Sequence, residues 1–257
     1  MSGIFQTILY QPLFNLLVGL YNFIPDIGIV ILIITVIVKA VLYPLTTSSI
    51  KAQKSLTDLQ PKLDALKKQY KDNQQQLAQE TMKLYKEHKV NPFGSCLPLL
   101  IQIPIFLALY WVLQSGLNNA DFNVLYSFVK NPGTLNTVTL NLFDLKNASP
   151  ILAVLAGAAQ FWQTKMMTSK RPPKAAGEGG KDENMMAMMN KQMLYIFPVM
   201  TVLIGLQLPG GLSLYWLFST VLTALQQELI FRTGKKNTPS GPSGKIEKDV
   251  IEGKIIE

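Results

Sequence analysis

Apolar residues gather along the chain into five long runs separated by polar segments. Each run is close to the roughly 20 residues with which a helix crosses a bilayer. The runs cover residues 27–45, 97–116, 150–167, 193–208 and 212–230. Only Pro209, Gly210 and Gly211 separate the last two, which predicts a tight antiparallel helical hairpin. Ahead of the first run lies a largely apolar stretch, residues 1–26, in which Thr7, Gln11, Asn15 and Asn22 recur at helical spacing. One polar stripe on a greasy helix predicts an element lying on the outer leaflet rather than a sixth span. Between the first two runs, Leu56, Leu59, Leu63, Leu66 and Tyr70, then Leu77, Met82, Leu84 and Tyr85, mix spacings of three and four. They predict two helices with narrow apolar faces, broken by the polar stretch Lys71 to Gln76 and folded back on each other as a hairpin.

Charge sets the orientation, because loops rich in Lys and Arg stay in the cytoplasm. Residues 46–96 carry Lys51, Lys54, Lys62, Lys67, Lys68, Lys71, Lys83, Lys86 and Lys89, and residues 168–192 and 231–257 are also basic. Residues 117–149 hold only Lys130 and Lys146, and the first 26 residues hold neither Lys nor Arg. The N-terminus is therefore expected outside and the C-terminus inside. The expected organisation is an extracytoplasmic interfacial helix (1–26), a first span (27–45), a cytoplasmic helical hairpin (46–96) and a second span (97–116). There follow an extracytoplasmic loop (117–149), a third span (150–167), a cytoplasmic loop (168–192), a fourth and fifth span (193–230) and a basic cytoplasmic tail (231–257).

Composition narrows the function. Only 16% of the 257 residues are charged, and they sit in blocks, so the net charge of +8 reflects loops bordering spans rather than a nucleic-acid surface. Cys96 is the sole cysteine and His88 the sole histidine, so neither an internal disulfide nor a metal-ligand cluster is expected, and no catalytic triad can be assembled. No cofactor and no enzymatic activity are expected.

The informative residues lie inside the runs. Lys39 is six residues from Leu45, roughly 9 Å of helix rise below that end. On a helix Thr35, Lys39, Tyr43 and Thr46 share one side, opposite Ile33, Ile37 and Val41. Polar faces recur in the fifth run (Trp216, Ser219 or Thr220, Thr223, and Gln226 or Gln227), in the third (Gln160, Gln163, Thr164) and in the second (Gln102). Stripes of this kind are stable in hydrocarbon when they face each other or water, which predicts a wet cavity; a snorkelling lysine with ordinary polar glue between helices is the alternative. Pro104 in the second run is expected to bend its helix and open space beside it. A methionine cluster, Met166, Met167, Met185, Met186, Met188, Met189 and Met193, suits either adaptable apolar contacts or plain packing.

Several ordered segments resemble the YidC membrane insertase family. They are "YPLT" at Tyr43, "LQPKL" at Leu59, "LYKEHKVNPFGSCLPLLIQIPIFLALY" from Leu84, "FWQTKMM" at Phe161 and "GLSLYWLFSTVLTALQQ" from Gly211. The resemblance implies an all-α membrane protein in which five transmembrane helices enclose a hydrophilic groove, with an N-terminal interfacial helix and a cytoplasmic helical hairpin. It puts the groove's basic residue at Lys39, where the family commonly has arginine, and its third- and fifth-span positions at Gln163 and Trp216. With Thr35, Tyr43, Gln102, Ser219 and Thr223 these form the expected substrate groove. The hairpin is implied to receive substrate or its carriers, and Lys54, Lys62, Lys67 and Lys68 are its recruitment candidates. Expected partners are nascent membrane proteins and membrane lipid, with the ribosome, through the basic tail, and the Sec translocon as further candidates. The expected location is the bacterial plasma membrane. Insertion of membrane proteins without covalent chemistry is the expected function. A small-anion transporter or channel is the alternative, although no inverted or paired repeat accompanies it.

Overall fold

The computed structural model describes residues 3–71, 73–91, 94, 97–118, 122–167 and 192–236. Of the sequence expectations, those on Cys96, on the loop at 168–191 with Met185, Met186, Met188 and Met189, and on the tail beyond Lys236 lie outside these residues.

Two short helices, α1 (Gly3–Phe5) and α2 (Gln11–Tyr21), are joined by a π-helical stretch, Gln6–Tyr10. Then α3 (Ile27–Gln69) runs for 43 residues through Pro44 and Pro61. It does not stop at Leu45, so the first apolar run and half of the arm form one rod, about 64 Å long at 1.5 Å per residue. The sequence suggested a boundary there because the residues turn polar. The hydroxyls of Thr46, Ser49, Ser55 and Thr57 instead bond to carbonyls four residues back, at 3.0–3.1 Å, so the polar residues continue the helix. The break falls at residues 70–73, where Asn73 caps α4 (Gln74–Glu87) by accepting from the Gln76 amide at 3.0 Å. Helix α4 folds back along α3, bringing Lys62 Nζ to 3.0 Å from His88 Nε2.

The remaining helices are α5 (Leu97–Asn118), α6 (Pro150–Met167), α7 (Phe197–Gly205) and α8 (Gly210–Lys236). Helix α5 continues through Pro104. Helix α6 packs tightly on α7 and α8 because small residues let backbones approach: a Cβ on Gly205 would lie 2.9 Å from that of Ala153, and one on Gly157 would meet Val202 and the Pro198 carbonyl. Among the described residues the only sheet is a hairpin of two-residue strands, β1 (Val138–Thr139) and β2 (Phe143–Asp144), so the segment read as loop carries a small β element in a helical protein.

The largest buried side chains, Phe14, Leu17, Ile27, Ile31, Ile34, Leu109, Leu113, Leu145, Leu212 and Tyr215, gather near the start of α3 and α8. Residues 122–149 close that end. Leu145 is fully buried, and the amides of Gly210 and Gly211 donate to the carbonyls of Asn147 and Leu145. The polar stripe of the N-terminal helix, read as facing the membrane surface, is largely used here. Gln11 and Asn15 both donate to the Val124 carbonyl, Asn15 accepts from the Tyr126 amide, and Asn22 donates to the Lys130 carbonyl. Backbone donors and acceptors of a loop held against the bundle need partners, and these side-chain amides supply some of them.

On the outside of the bundle, Leu100, Ile103, Leu107 and Trp111 form one exposed stripe on α5. Ile151, Val154, Leu155 and Trp162 do the same on α6, and Val36, Ile37 and Val41 on α3. Apolar belts of this extent suit hydrocarbon rather than water. By length and hydropathy, Gly3–Tyr21 and Ile27–Gln69 are candidate spans, and Leu100–Gly116 and Leu194–Gly205 are shorter apolar helices.

Candidate functional site

Helices α3 and α8 leave the apolar core side by side, and the residues between them change character together. After Ile31 and Ile34 on α3 comes Lys39, and after Leu212 and Tyr215 on α8 come Ser219 and Thr223. Lys39 Nζ donates to Thr223 Oγ1 at 2.8 Å, and Thr223 Oγ1 donates to the Ser219 carbonyl at 2.8 Å. Among the described residues no carboxylate pairs with the ammonium; ion pairs such as Lys83 with Glu80 and Arg232 with Glu228 lie elsewhere. An ammonium has three donors, so one hydroxyl leaves capacity for water or an anion.

Farther from the apolar core the seam stays polar. Gln226 Nε2 donates to Thr46 Oγ1 at 3.0 Å and to Thr47 Oγ1 at 2.9 Å, and Thr46 Oγ1 lies 3.2 Å from Gln226 Oε1. Gln226 Nε2 also approaches the Tyr43 carbonyl at 3.4 Å, while the Tyr43 side chain is exposed. Gln227, one residue further, is almost wholly buried, and its Oε1 has no hydrogen-bond partner. Farther still, Lys54 Nζ sits 5.4 Å from the centre of the Phe231 ring, a cation–π contact that ties the arm to the end of α8.

Helix α5 borders this seam but touches α3 and α8 far less than they touch each other. Two contacts carry its approach to α8: Gln102 Nε2 donates to the Tyr215 hydroxyl, and Phe106 meets Trp216 edge-on with ring centroids 5.3 Å apart. Of the residues expected in a groove, Lys39, Thr223, Gln102 and Trp216 thus lie on contacts between α3, α5 and α8, while Ser219 is buried and bonds within α8. Thr35 does not open onto space: it is fully buried and its Oγ1 donates to the Ile31 carbonyl at 2.7 Å. Gln163 bonds within its own helix, accepting from Gln160 Nε2 at 3.2 Å. Tyr215 was missed because an aromatic in an apolar run looks like packing, and only its hydroxyl partner distinguishes it. In the arm, Lys54 is engaged with Phe231, Lys62 with His88, and Lys67 and Lys68 stand in the last turn of α3.

Residues 19–237 fit the family model described as 60Kd inner membrane protein. A "Membrane protein insertase YidC" of Fusobacterium nucleatum is 37% identical over 213 residues, covering 83% of this chain and 90% of that protein. The chain belongs to the YidC family. Other YidC relatives are longer: this chain spans 36% of the Tolumonas auensis protein at 37% identity and 38% of the Pelobacter propionicus protein at 36%, with 88% and 87% of this chain covered. A solved YidC structure, "Active YidC insertase crystal structure with the first transmembrane domain resolved", superposes with a TM-score of 0.56 at 27% identity, over 86% of this chain and 45% of that one. The family places the chain in a bacterial membrane, in keeping with its apolar belts, and it is not a family of catalytic enzymes.

Proposed function

We propose that this protein inserts other membrane proteins into the bilayer through the polar seam between α3, α5 and α8. It lies in the plasma membrane with five spans, its N-terminus outside and the α3–α4 arm in the cytoplasm, as the loop charges indicate. The observation that carries the reading is that, among the described residues, Lys39 pairs with Thr223 alone, at 2.8 Å, in a protein of a family whose relatives are named insertases. An unpaired acceptor such as Gln227 Oε1 is satisfied most simply by water, which supports a wet inner half. In such a groove the polar tail of a substrate crosses less hydrocarbon, Lys39 attracts its acidic residues, and burial of its apolar span in lipid drives release. Nascent membrane proteins are the proposed substrates. The basic tail is the proposed contact with the ribosome or with anionic headgroups, and the Sec translocon a proposed co-factor of some substrates. The comparisons lend no support to a small-anion carrier.

The test is insertion into vesicles containing the purified protein, with substrates whose translocated tails are acidic or neutral. Lys39→Ala should slow the acidic class several-fold and leave the neutral class nearly unchanged. Equal rates for both classes, in wild type and variant alike, refute the electrostatic role.

A further inference from the structure

The extracytoplasmic segment holds its backbone to the turn before α3 and, while Leu145 faces the core, turns Phe128, Leu140 and Leu142 outward. Asn22 donates to the Lys130 carbonyl at 2.8 Å, the Tyr21 hydroxyl accepts from the Asn136 amide at 2.8 Å, and Asp26 accepts from the Leu140 amide at 2.9 Å. These three ties gather the segments containing Phe23, Phe128, Leu140 and Leu142 around one short turn. The four side chains are 86%, 82%, 64% and 75% exposed. Phe128 is stacked on Tyr126, with centroids 5.4 Å apart, so the aromatic pair is held rather than trailing.

Leu140 is the telling residue. Together with Asn141 it has positive φ, 51° and 55°, and the Leu142 amide returns to the Thr139 carbonyl at 2.9 Å. A turn of this kind ordinarily takes Asn or Gly, and a leucine in the left-handed region is unfavourable by about 1 kcal/mol. Nothing in the turn rewards it, because its side chain reaches no core.

We infer that this face is a shallow anchor in the outer leaflet, with Phe23, Phe128, Leu140 and Leu142 seated at the boundary of headgroups and acyl chains. The inference rests on the membrane reading of the family but goes beyond the groove. Lipid is the occupant for two reasons. Phe23 stands four residues before Ile27, where α3 enters the apolar layer, so chain geometry holds the face at the bilayer boundary and continuous with the lipid-facing belt. The face is also poor in free charge. The Asp26 carboxylate is spent on four donors and Asp144 on the Lys146 amide and Asn147 with the Lys146 charge nearby, which leaves Lys130 to reach phosphate from an apolar footing. Exposed aromatics at this level are the usual furniture of a membrane interface. The anchor sets how deep the bundle sits and holds the closed end of the polar seam against the outer surface.

The test uses the full chain with Cys96→Ser, carrying one nitroxide at Phe128→Cys or Leu142→Cys, in vesicles of phosphatidylethanolamine and phosphatidylglycerol. Val41→Cys and Lys67→Cys serve as lipid and water references. Collision with oxygen should exceed collision with a nickel chelate several-fold at 128 and 142, at a depth shallower than at 41. Values equal to those at 67, with 41 still deep, overturn the anchor and leave the membrane reading intact. Low collision with both reagents means cover by protein and also overturns it. Water-like values at 41 as well overturn the membrane reading itself.

Discussion

Asp26 joins two functions that substitutions can separate. Its Oδ1 accepts from the amides of Gly28 (2.9 Å) and Ile29 (3.1 Å), which caps α3, and from the Thr139 hydroxyl; Oδ2 accepts from the Leu140 amide at 2.9 Å. Losing an N-cap costs about 1 kcal/mol, and each hydrogen bond to a charged group contributes about 1.5–3 kcal/mol, toward the lower figure for a partly exposed carboxylate. Asp26→Ala should therefore destabilise the protein by about 3–4 kcal/mol. Asp26→Ser retains a capping oxygen and loses only the clasp on the loop, so it should cost about 2–3 kcal/mol by the same figures. At about 2–4 °C per kcal/mol for a chain of this size, the clasp corresponds to a fall in Tm of about 4–12 °C. Thermal unfolding in micelles measures both variants, and a cycle with Thr139→Val isolates the pair. Asp26→Ser as stable as the wild type, within about 0.5 kcal/mol, would show that the loop is held by its apolar contacts and its ties to Gln11, Asn15, Tyr21 and Asn22 without the clasp.

The same carboxyl gives a pH signature. Burial pushes it up, but the hydrogen bonds from Thr139, Leu140, Ile29 and Gly28 together outweigh that and hold it below the usual carboxylate value. A depressed folded pKa means stability that is fully present above the unfolded value, about 3.9, and is lost as pH falls below it through the folded value. Wild type should lose stability more steeply than Asp26→Ser below about pH 4, and the two should run parallel above about pH 5. Parallel curves throughout would count against the assignment.

Three further outcomes test the helix seams. Gly157→Ala drives a methyl into Val202 and the Pro198 carbonyl, 3.0 Å from the added carbon, so separation of α6 and α7 should cost about 1–3 kcal/mol in thermal unfolding; an unchanged Tm would mean the seam is looser than drawn. Gln226→Leu removes the amide that bonds Thr46 and Thr47 and should cost about 1 kcal/mol, whereas a more stable variant would show that grease serves the α3–α8 seam better than polar glue. Tyr215→Phe takes away the acceptor of Gln102 and should lower stability by about 1 kcal/mol while insertion of neutral-tailed substrates persists; loss of all insertion at unchanged stability would give the hydroxyl a direct role.

What the sequence made legible was periodic. The interruption after Tyr70 and the polar faces holding Lys39 and Thr223 are local patterns, and the structure brings that lysine and threonine to 2.8 Å; the turn expected at Pro209 to Gly211 falls instead at residues 206–209, with Gly210 and Gly211 already in α8. What stayed hidden was pairing at long range. Asp26 and Thr139 meet across more than a hundred residues, and neither carries a pattern that names the other. The N-terminal stripe was visible, but its use depended on whether water or a loop backbone would face Gln11, Asn15 and Asn22. Thr35 shared a face with Lys39 by spacing, yet a threonine can satisfy itself on its own helix, and here it does.

The depth of the polar seam, more than the charge in it, governs the proposed mechanism. Ile27 begins α3 at the closed end and Lys39 lies twelve residues on, about 18 Å along the axis. A substrate tail drawn up to Lys39 has then passed roughly 12 Å of the ~30 Å hydrocarbon layer in polar company. Among the described residues the remaining stretch is lined by the buried Ile31, Ile34, Leu109 and Tyr215 and closed by Leu145, an apolar plug that opposes a wet path beyond Lys39. A seal of this kind lets a tail cross without letting ions follow, and it confines the barrier to the apolar half. Lys39 can lower the approach of an acidic tail by attraction, but the same attraction must be broken before the tail leaves. Its net effect therefore falls on capture rather than on exit, which is why neutral tails should still insert when it is gone.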